Sequence, residues 1–283
     1  MAKPSVATFK VSKIQDNSPA ETDDLLAVEE PMEIRLAYGI EGGRQQKSIS
    51  VTMRTPGQDF ELAIGFLFTE GIIQNKEQIR TIRYCEKKNE NLSKENIVLV
   101  ELIESIEPEL QKLERNFYTS SSCGICGKAS IDSVRSVNSG MKNSNGKNFK
   151  LSAEEILSLP VKLREQQLVF GYTGGLHAAA LFNSEGEMVL LREDIGRHNA
   201  VDKLIGASLH INLIPLNNHV LFLSGRSSFE LIQKAVMAGI KFVASVGAPS
   251  SLAVNLAREF DITLLGFVRD KRFNVYSGPE RIN

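Results

Sequence analysis

The chain is predicted to fold as an α/β protein, with a mixed sheet under covering helices and a smaller α+β part ahead of it. Three observations predict this. From about residue 176 onward, short apolar runs alternate with helical patterns. Before residue 117 the strand-like stretches come in pairs, the sign of antiparallel neighbours. Hydrophobic residues make up 42% of the 283 positions, enough for a sizeable core.

Residues 1–25 are polar and lack periodicity, and are expected to form a loose tail. Residues 26–117 are expected to form the smaller α+β domain. In it, 33–38 and 48–54 read as strands separated by the Gly42-Gly43 turn. Residues 60–70 read as a helix, with Asp59 as N-cap and Gly71 as its stop. Residues 79–85 and 97–103 read as a second strand pair. Residues 118–147 form a cysteine-bearing loop, a short helix near 129–137, and a polar linker. The remaining domain, 148–283, opens on a capping box, Ser152-Ala-Glu-Glu155. Strands are expected at 177–182, 188–192, 219–224, 241–246 and 262–268, with helices at 198–210, 228–238 and 250–259.

The charge balance excludes some function classes. Thirty-three basic against 34 acidic residues argues against a generally basic nucleic-acid binder. No apolar run reaches the length of a membrane span, and residues 1–15 lack the apolar centre of a secretion signal. Three cysteines in 283 residues make no disulfide framework, so a reducing cytoplasm is the expected setting. Cys85 sits in a strand-like stretch and is expected to be structural.

The other two cysteines lie in Ser122-Cys123-Gly-Ile-Cys126-Gly-Lys128, a loop rich in serine and glycine. A thiolate is the reactive form of cysteine, and a nearby cation or helix N-terminus favours it. Lys128 and the helix expected beyond Gly127 supply both. Such a thiolate can take sulfur as a persulfide, with its neighbour resolving the bond. The spacing leaves other readings open. One Cys-x-x-Cys gives two ligands of a structural zinc site and needs two more from elsewhere. A dithiol redox motif of the thioredoxin kind expects a βαβ context, and antiparallel strands precede this one.

The second half repeats one device, in which an apolar strand ends in a polar or glycine-bearing turn and a helix begins. The turns are Arg192-Glu-Asp-Ile-Gly-Arg-His198, Ser224-Gly-Arg-Ser-Ser228 and Gly247-Ala-Pro-Ser-Ser251. Helix N-termini offer unpaired N–H groups to phosphate, glycine allows close approach, and Arg197 or Arg226 can clamp an oxyanion. Serine and proline in such turns also simply cap helices, and the third turn taken alone needs no more than that. Together the three favour a nucleotide-like anion at the carboxyl ends of the strands, with Ser224, Gly225, Arg226, Gly247 and Ser250 as candidates. His177, entering an apolar strand, reads as a satisfied core residue. The segment after residue 266 is either a solvated hairpin or a contact site. In the second case Asp270 meets a guanine edge, and Arg269, Lys271 and Arg272 meet phosphates.

Taken in order, these pieces resemble one family, the formate dehydrogenase accessory sulfurtransferases of the FdhD type. The resemblance runs from about residue 50 to the C-terminus. It includes Arg54-Thr-Pro-Gly57, Cys123-Gly-Ile-Cys126, Thr173-Gly-Gly-Leu-His177, the three turns above and the closing Asn274-Val-Tyr-Ser-Gly-Pro-Glu-Arg-Ile282. It implies a sulfurtransferase that carries sulfur from a cysteine desulfurase to the bis(molybdopterin guanine dinucleotide) molybdenum cofactor of formate dehydrogenase. Cys123 then corresponds to the persulfide-bearing cysteine and Cys126 to its partner thiol. Phe267, Val268, Arg269, Asp270, Lys271 and Arg272 correspond to the cofactor-binding segment. The resemblance also implies a cytidine deaminase-like core, yet a deaminase needs His-x-Glu, and His177-Ala-Ala179 lacks the glutamate. No resident metal is therefore expected. Two alternatives remain: a molybdenum cofactor chaperone that moves no sulfur, and a zinc-stabilised scaffold. A homodimer is the default oligomer.

Overall fold

A computed structural model describes residues 3–85, 96–108 and 149–283 of the protein. Its first element was not expected. Strands β1 (Val6–Gln15) and β2 (Ser18–Ala27) pair antiparallel along their whole length, from Val6 opposite Ala27 to Gln15 opposite Ser18. The turn between them is Asp16-Asn17, both with positive φ, the pair of conformations that a two-residue hairpin of right-handed twist requires. The expected loose tail is thus a hairpin. It gave no periodic signal because nearly all of it is exposed, so neither face had to be apolar.

Strands β3 (Glu30–Tyr38) and β4 (Gln45–Arg54) pair antiparallel, as do β5 (Ile79–Tyr84) and β6 (Ile97–Leu102). A parallel pairing of β3 with β6 joins the two pairs into one sheet of order β4-β3-β6-β5. Met32, Ile34, Leu36, Val98, Val100 and Leu102 are buried beneath it. Helix α1 (Asp59–Thr69) packs on this face. Its N-cap is Gln58, in the left-handed region, and not the expected Asp59. The Asp59 carboxylate is taken instead by the wholly buried guanidinium of Arg54, through two bonds of 3.0 and 2.9 Å.

The second half opens with α2 (Ala153–Gln166), whose Ser152–Glu155 capping box forms as expected, and the short α3 (Leu168–Thr173). Then come β7 (His177–Phe182), β8 (Met188–Asp194), α4 (Arg197–His210), β9 (Val220–Leu223), α5 (Phe229–Met237), β10 (Phe242–Ser245), α6 (Ser251–Glu259), β11 (Thr263–Arg269) and β12 (Arg272–Ser277). The strands form one mixed sheet of order β12-β11-β10-β9-β7-β8. Strands β9, β10 and β11 pair parallel, and the β11–β12, β9–β7 and β7–β8 pairings are antiparallel.

This sheet is apolar on both faces, and the two-residue period sorts its side chains. Ala179, Leu181, Leu221, Leu223, Val243 and Leu264 face the layer of α1, α4, α5 and α6. Ala178, Ala180, Phe182, Val220, Phe222, Phe242, Ala244 and Leu265 face α2 through Ile156, Leu159 and Leu163. The helix layer also receives the first sheet, so one apolar cluster joins residues on both sides of the expected domain boundary. That boundary, the cysteine loop and the helix expected near 129–137 lie outside the described residues. Two glycines let α1 and α4 touch. A Cβ on Gly65 would stand 1.8 Å from the Asp202 carbonyl oxygen, and one on Gly206 would stand 1.9 Å from that of Glu61.

Candidate functional site

The parallel run of β9, β10 and β11 places three chain reversals at one edge of the large sheet. Gly247 N–H donates to the Gly225 carbonyl at 3.2 Å, and Phe267 N–H donates to the Gly247 carbonyl at 3.0 Å. The turn after β9, the turn after β10 and the end of β11 are thereby laced together. A Cβ on Gly247 would lie 2.9 Å from the Gly225 carbonyl oxygen, and one on Gly266 would lie 2.8 Å from Pro249. Larger residues at either position would force the turns apart. A further bridge links Ser227 and Pro249.

Because β7 runs opposite to β9, its first residue, His177, reaches the same edge. A Cβ on Gly225 would stand 3.2 Å from His177 Nδ1. His177 is half-buried, so it is not the enclosed core residue expected from sequence. Burial first, then the charges of Arg197 and His198, push its pKa down, while Asp194 opposes them. The end of β8 pairs with it, Asp194 opposite His177.

Asp194 is a buried hub. Lys203 Nζ lies 2.7 Å from it, and it accepts from the backbone N–H of Thr55 at 3.2 Å and of Gly196 at 2.8 Å. The Asn199 amide donates to it at 3.1 Å and to the Met53 carbonyl at 2.8 Å. Lys203 also donates to the Thr55 carbonyl at 2.9 Å. The Arg54-Thr-Pro-Gly57 turn and the turn opening α4 are therefore held by one network. That network presents Arg197 and His198 at the edge, where His198 Nε2 stands 3.3 Å from Ser228 Oγ. Beyond Ser228, Glu230 Oε2 lies 3.8 Å from His198 Nε2, an ion-pair distance. The His198 ring is the main cause, with the Ser228 hydroxyl and Glu230's own N–H, that holds this carboxyl at about 2.

At the far side, β11 and β12 form a bulged hairpin. Gly266 is opposite Asn274 and Arg269 is opposite Arg272, so Phe267 and Val268 share one partner position. Phe267 adopts φ 56°, a conformation that is costly for a bulky residue and is concentrated at functional sites. The Arg269 guanidinium lies 5.8 Å from its ring centre. Arg269, Asp270, Lys271 and Arg272 are exposed.

Eight of the expected contact residues thus gather at this edge with exposed or half-exposed surface or backbone: Gly225, Arg226, Gly247, Phe267, Arg269, Asp270, Lys271 and Arg272. Three have side chains occupied elsewhere. Val268 is withdrawn from the edge, because the pleat turns its side chain into the core facing α2. The Ser224 hydroxyl accepts from the Ala178 N–H at 2.8 Å and extends the β7–β9 pairing. The Ser250 hydroxyl caps α6 by accepting from the Ala253 N–H at 3.2 Å. Cys123 and Cys126 lie outside the described residues. Sequence reasoning missed Ser227 and Glu230, whose positions in the Ser-Ser-Phe-Glu run carried no signal beyond helix capping. Cys85, expected to be structural, is half-buried with its N–H bonded to the Ile97 carbonyl.

Neighbouring strands lie about 4.8 Å apart, so the edge from β8 to β11 extends about 19 Å. Arg197, Arg226, Arg269, Lys271 and Arg272 line it, against Asp270 and Glu230. Among the described residues no cluster of three or more histidine, cysteine or acidic side chains is arranged to hold a metal ion. None of their helices is long and apolar enough to cross a membrane.

Fold and edge together define an α/β protein with a cationic, glycine-laced rim at the carboxyl ends of its strands. The chain belongs to the FdhD/NarQ family, whose pattern it matches over residues 27–283. It is 49% identical over 274 residues to the sulfur carrier protein FdhD of Streptomyces avermitilis, covering 96% of this chain and 94% of the relative. It is 50% identical over 261 residues to that of Mycolicibacterium paratuberculosis, with 92% of each chain covered. Identity is still 40% over 278 residues with that of Sulfolobus acidocaldarius, covering 98% and 99%. A crystallised protein of Desulfotalea psychrophila, proposed to be a formate dehydrogenase accessory protein, shares the fold with a TM-score of 0.73. It is 25% identical and covers 99% of this chain and 100% of its own.

Proposed function

We propose that this protein is a sulfurtransferase that carries sulfur as a Cys123 persulfide from a cysteine desulfurase to a bis(molybdopterin guanine dinucleotide) molybdenum cofactor, for use by formate dehydrogenase. The observation that carries the proposal is the family match over residues 27–283, which spans the Cys123-Gly-Ile-Cys126 loop, to relatives named sulfur carriers. The cationic rim supports it, because a guanine dinucleotide needs both phosphate donors and a place for a base. In this reading the core is of the cytidine deaminase kind, without its zinc chemistry. The setting is the cytoplasm, where free thiols persist.

In this reading the Cys123 thiolate attacks the outer sulfur of the desulfurase persulfide, and the desulfurase thiolate leaves. Cys126 then attacks the inner sulfur of Cys123. Hydrosulfide departs to the acceptor, and the Cys123–Cys126 disulfide that remains is restored by a thiol reductant. The cofactor is the substrate. Its guanine lies at the 267–272 hairpin and its phosphates along Gly225, Arg226 and Gly247.

The test is intact mass after incubation with a cysteine desulfurase and L-cysteine. A reductant-labile gain of one sulfur is expected on the wild type and on Cys126→Ala, and none on Cys123→Ala. An adduct on Cys123→Ala, or none on any form, would overturn the carrier role. Cofactor binding without an adduct would leave a chaperone. Bound zinc lost from the double cysteine variant would point to a scaffold.

A further inference from the structure

The β1–β2 ribbon stands apart from both larger sheets. Among the described residues its strands pair only with each other, so both outer edges present open N–H and C=O groups. None of its side chains belongs to either apolar core. Strand β2 is the one that packs against α3, and Ala27 at its end would lie 3.9 Å from a Cβ on Gly175. Ten residues of extended chain reach about 33 Å. A two-stranded ribbon without a cover is marginally stable in water, and an open edge is a template for another strand. The family pattern starts at residue 27, so this arm lies ahead of it.

The two edges differ in chemistry. Strand β2 carries Glu21, Asp23 and Asp24, with Pro19 near its start. Acids that would meet their own copies, and a proline that has no N–H, both oppose pairing along that edge. Strand β1 has neither acid nor proline, and its charges are Lys10 and Lys13. Its side chains at Ala7, Phe9 and Val11 fall on one face, and Leu26 joins them opposite Ala7. Phe9 is 52% exposed and Leu26 is 40% exposed. The stripe is symmetric about Phe9, with an apolar residue two positions away on either side.

We propose that β1 is an edge for a second copy of this chain, and that it pairs antiparallel with β1 of that copy about Phe9. A two-fold axis sets a strand against itself in reverse. With the axis at Phe9, Phe9 meets its own copy, Ala7 meets Val11, Lys10 meets Thr8 and Lys13 meets Ser5. No lysine then opposes a lysine. Centred one residue later, the same pairing would set Lys10 against its own copy. Four antiparallel strands replace two, and the two stripes join on one face, where each Phe9 is shielded by the other. The acids of β2 line both outer edges of the new sheet and stop further strands from adding, so the assembly closes at two.

Sedimentation of the full chain over a concentration series tests this. The wild type is expected to form a dimer, and Phe9→Lys to weaken it about tenfold or more by placing like charges together at the axis. Leu25→Ser, on the other face of β2, is expected to associate as the wild type does. Melting temperatures equal to that of the wild type show that the variants fold. Mild oxidation of Phe9→Cys is expected to give a covalent dimer whose peptide map joins position 9 to position 9, since facing residues of an antiparallel pair lie within disulfide reach. Asp23→Cys is expected to give no such link. A wild type that stays monomeric at every concentration overturns the proposal and leaves the ribbon to a different partner. A dimer unchanged by Phe9→Lys, or a Phe9→Cys variant without the 9-to-9 link, also overturns it and places the contact elsewhere on the molecule.

Discussion

Lys203 meets Asp194 at 2.7 Å beneath the rim, and Lys234 meets Asp202 at 2.9 Å beneath α1. All four side chains are buried, and Asp202 and Lys203 are consecutive on α4. About 100° of helical rotation separates these two, so one helix serves both pairs. Their surroundings differ. Asp202 is met by Lys234 and by the Thr69 hydroxyl at 2.8 Å, side chains on the neighbouring helices. Asp194 is met by backbone N–H groups of two turns as well as by Lys203. The Asp202–Lys234 pair fastens helix to helix, and the Asp194–Lys203 pair also sets loop conformation at the rim. Similar chemistry thus serves stability in one place and the geometry of a binding edge in the other.

The comparison breaks most directly by removing one charge from each pair. Asp194→Asn leaves the buried Lys203 without its counterion, which costs about 3–5 kcal/mol, whereas in Asp202→Asn the buried Lys234 keeps the Glu70 carboxylate at 3.3 Å. Urea unfolding is expected to show the larger loss in Asp194→Asn. GDP titration of the folded fraction is expected to separate them, weakened in Asp194→Asn and unchanged in Asp202→Asn. Equal nucleotide affinity in the two variants would dissolve the distinction.

A smaller effect probes the rim alone. Gly247→Ala places a methyl against the Gly225 carbonyl at 2.9 Å and should cost about 1–3 kcal/mol by overpacking. The loss of nucleotide affinity should accompany it, because the turns after β9 and β10 must separate. The smallest effect is a titration. Burial and the cations Arg197 and His198 lower the His177 pKa below 6.5, so its neutral form is favoured in the folded state. Its contribution is present above pH 6.5 and is lost as pH falls through the lowered folded value. NMR titration should give a midpoint below 6.5, lower still in Asp194→Asn, because that carboxylate opposes the shift. A midpoint that rises in the variant would remove Asp194 from the electrostatics of the rim.

Much of this was legible in the sequence where local pattern and final environment agree. The strands and helices after residue 176 fall close to their expected places, because each buries apolar residues at its own period. The capping box of Ser152 and Glu155 is read from four residues and formed by the same four. The hairpin of β1 and β2 was hidden because its backbone pairing needs no buried face. Asp59 resembles a cap by residue type, and a buried arginine five positions earlier claims it. Val268 looked like its exposed neighbours, since a bulge that inverts one residue leaves no mark on composition.

The sequence by itself determined the order of the elements after residue 176, the mixed α/β class and the glycine- and serine-bearing turns. Those depend on residue type and spacing over a few positions. Only the tertiary structure decided that β3 pairs with β6, and that Gly65 and Gly206 bring α1 against α4. It also decided which hydroxyls are already taken and which remain unmet. Ser224, Ser227 and Ser250 are chemically the same residue in similar turns. Whether each hydroxyl finds an acceptor or donor within reach depends on strands and helices far away in the chain.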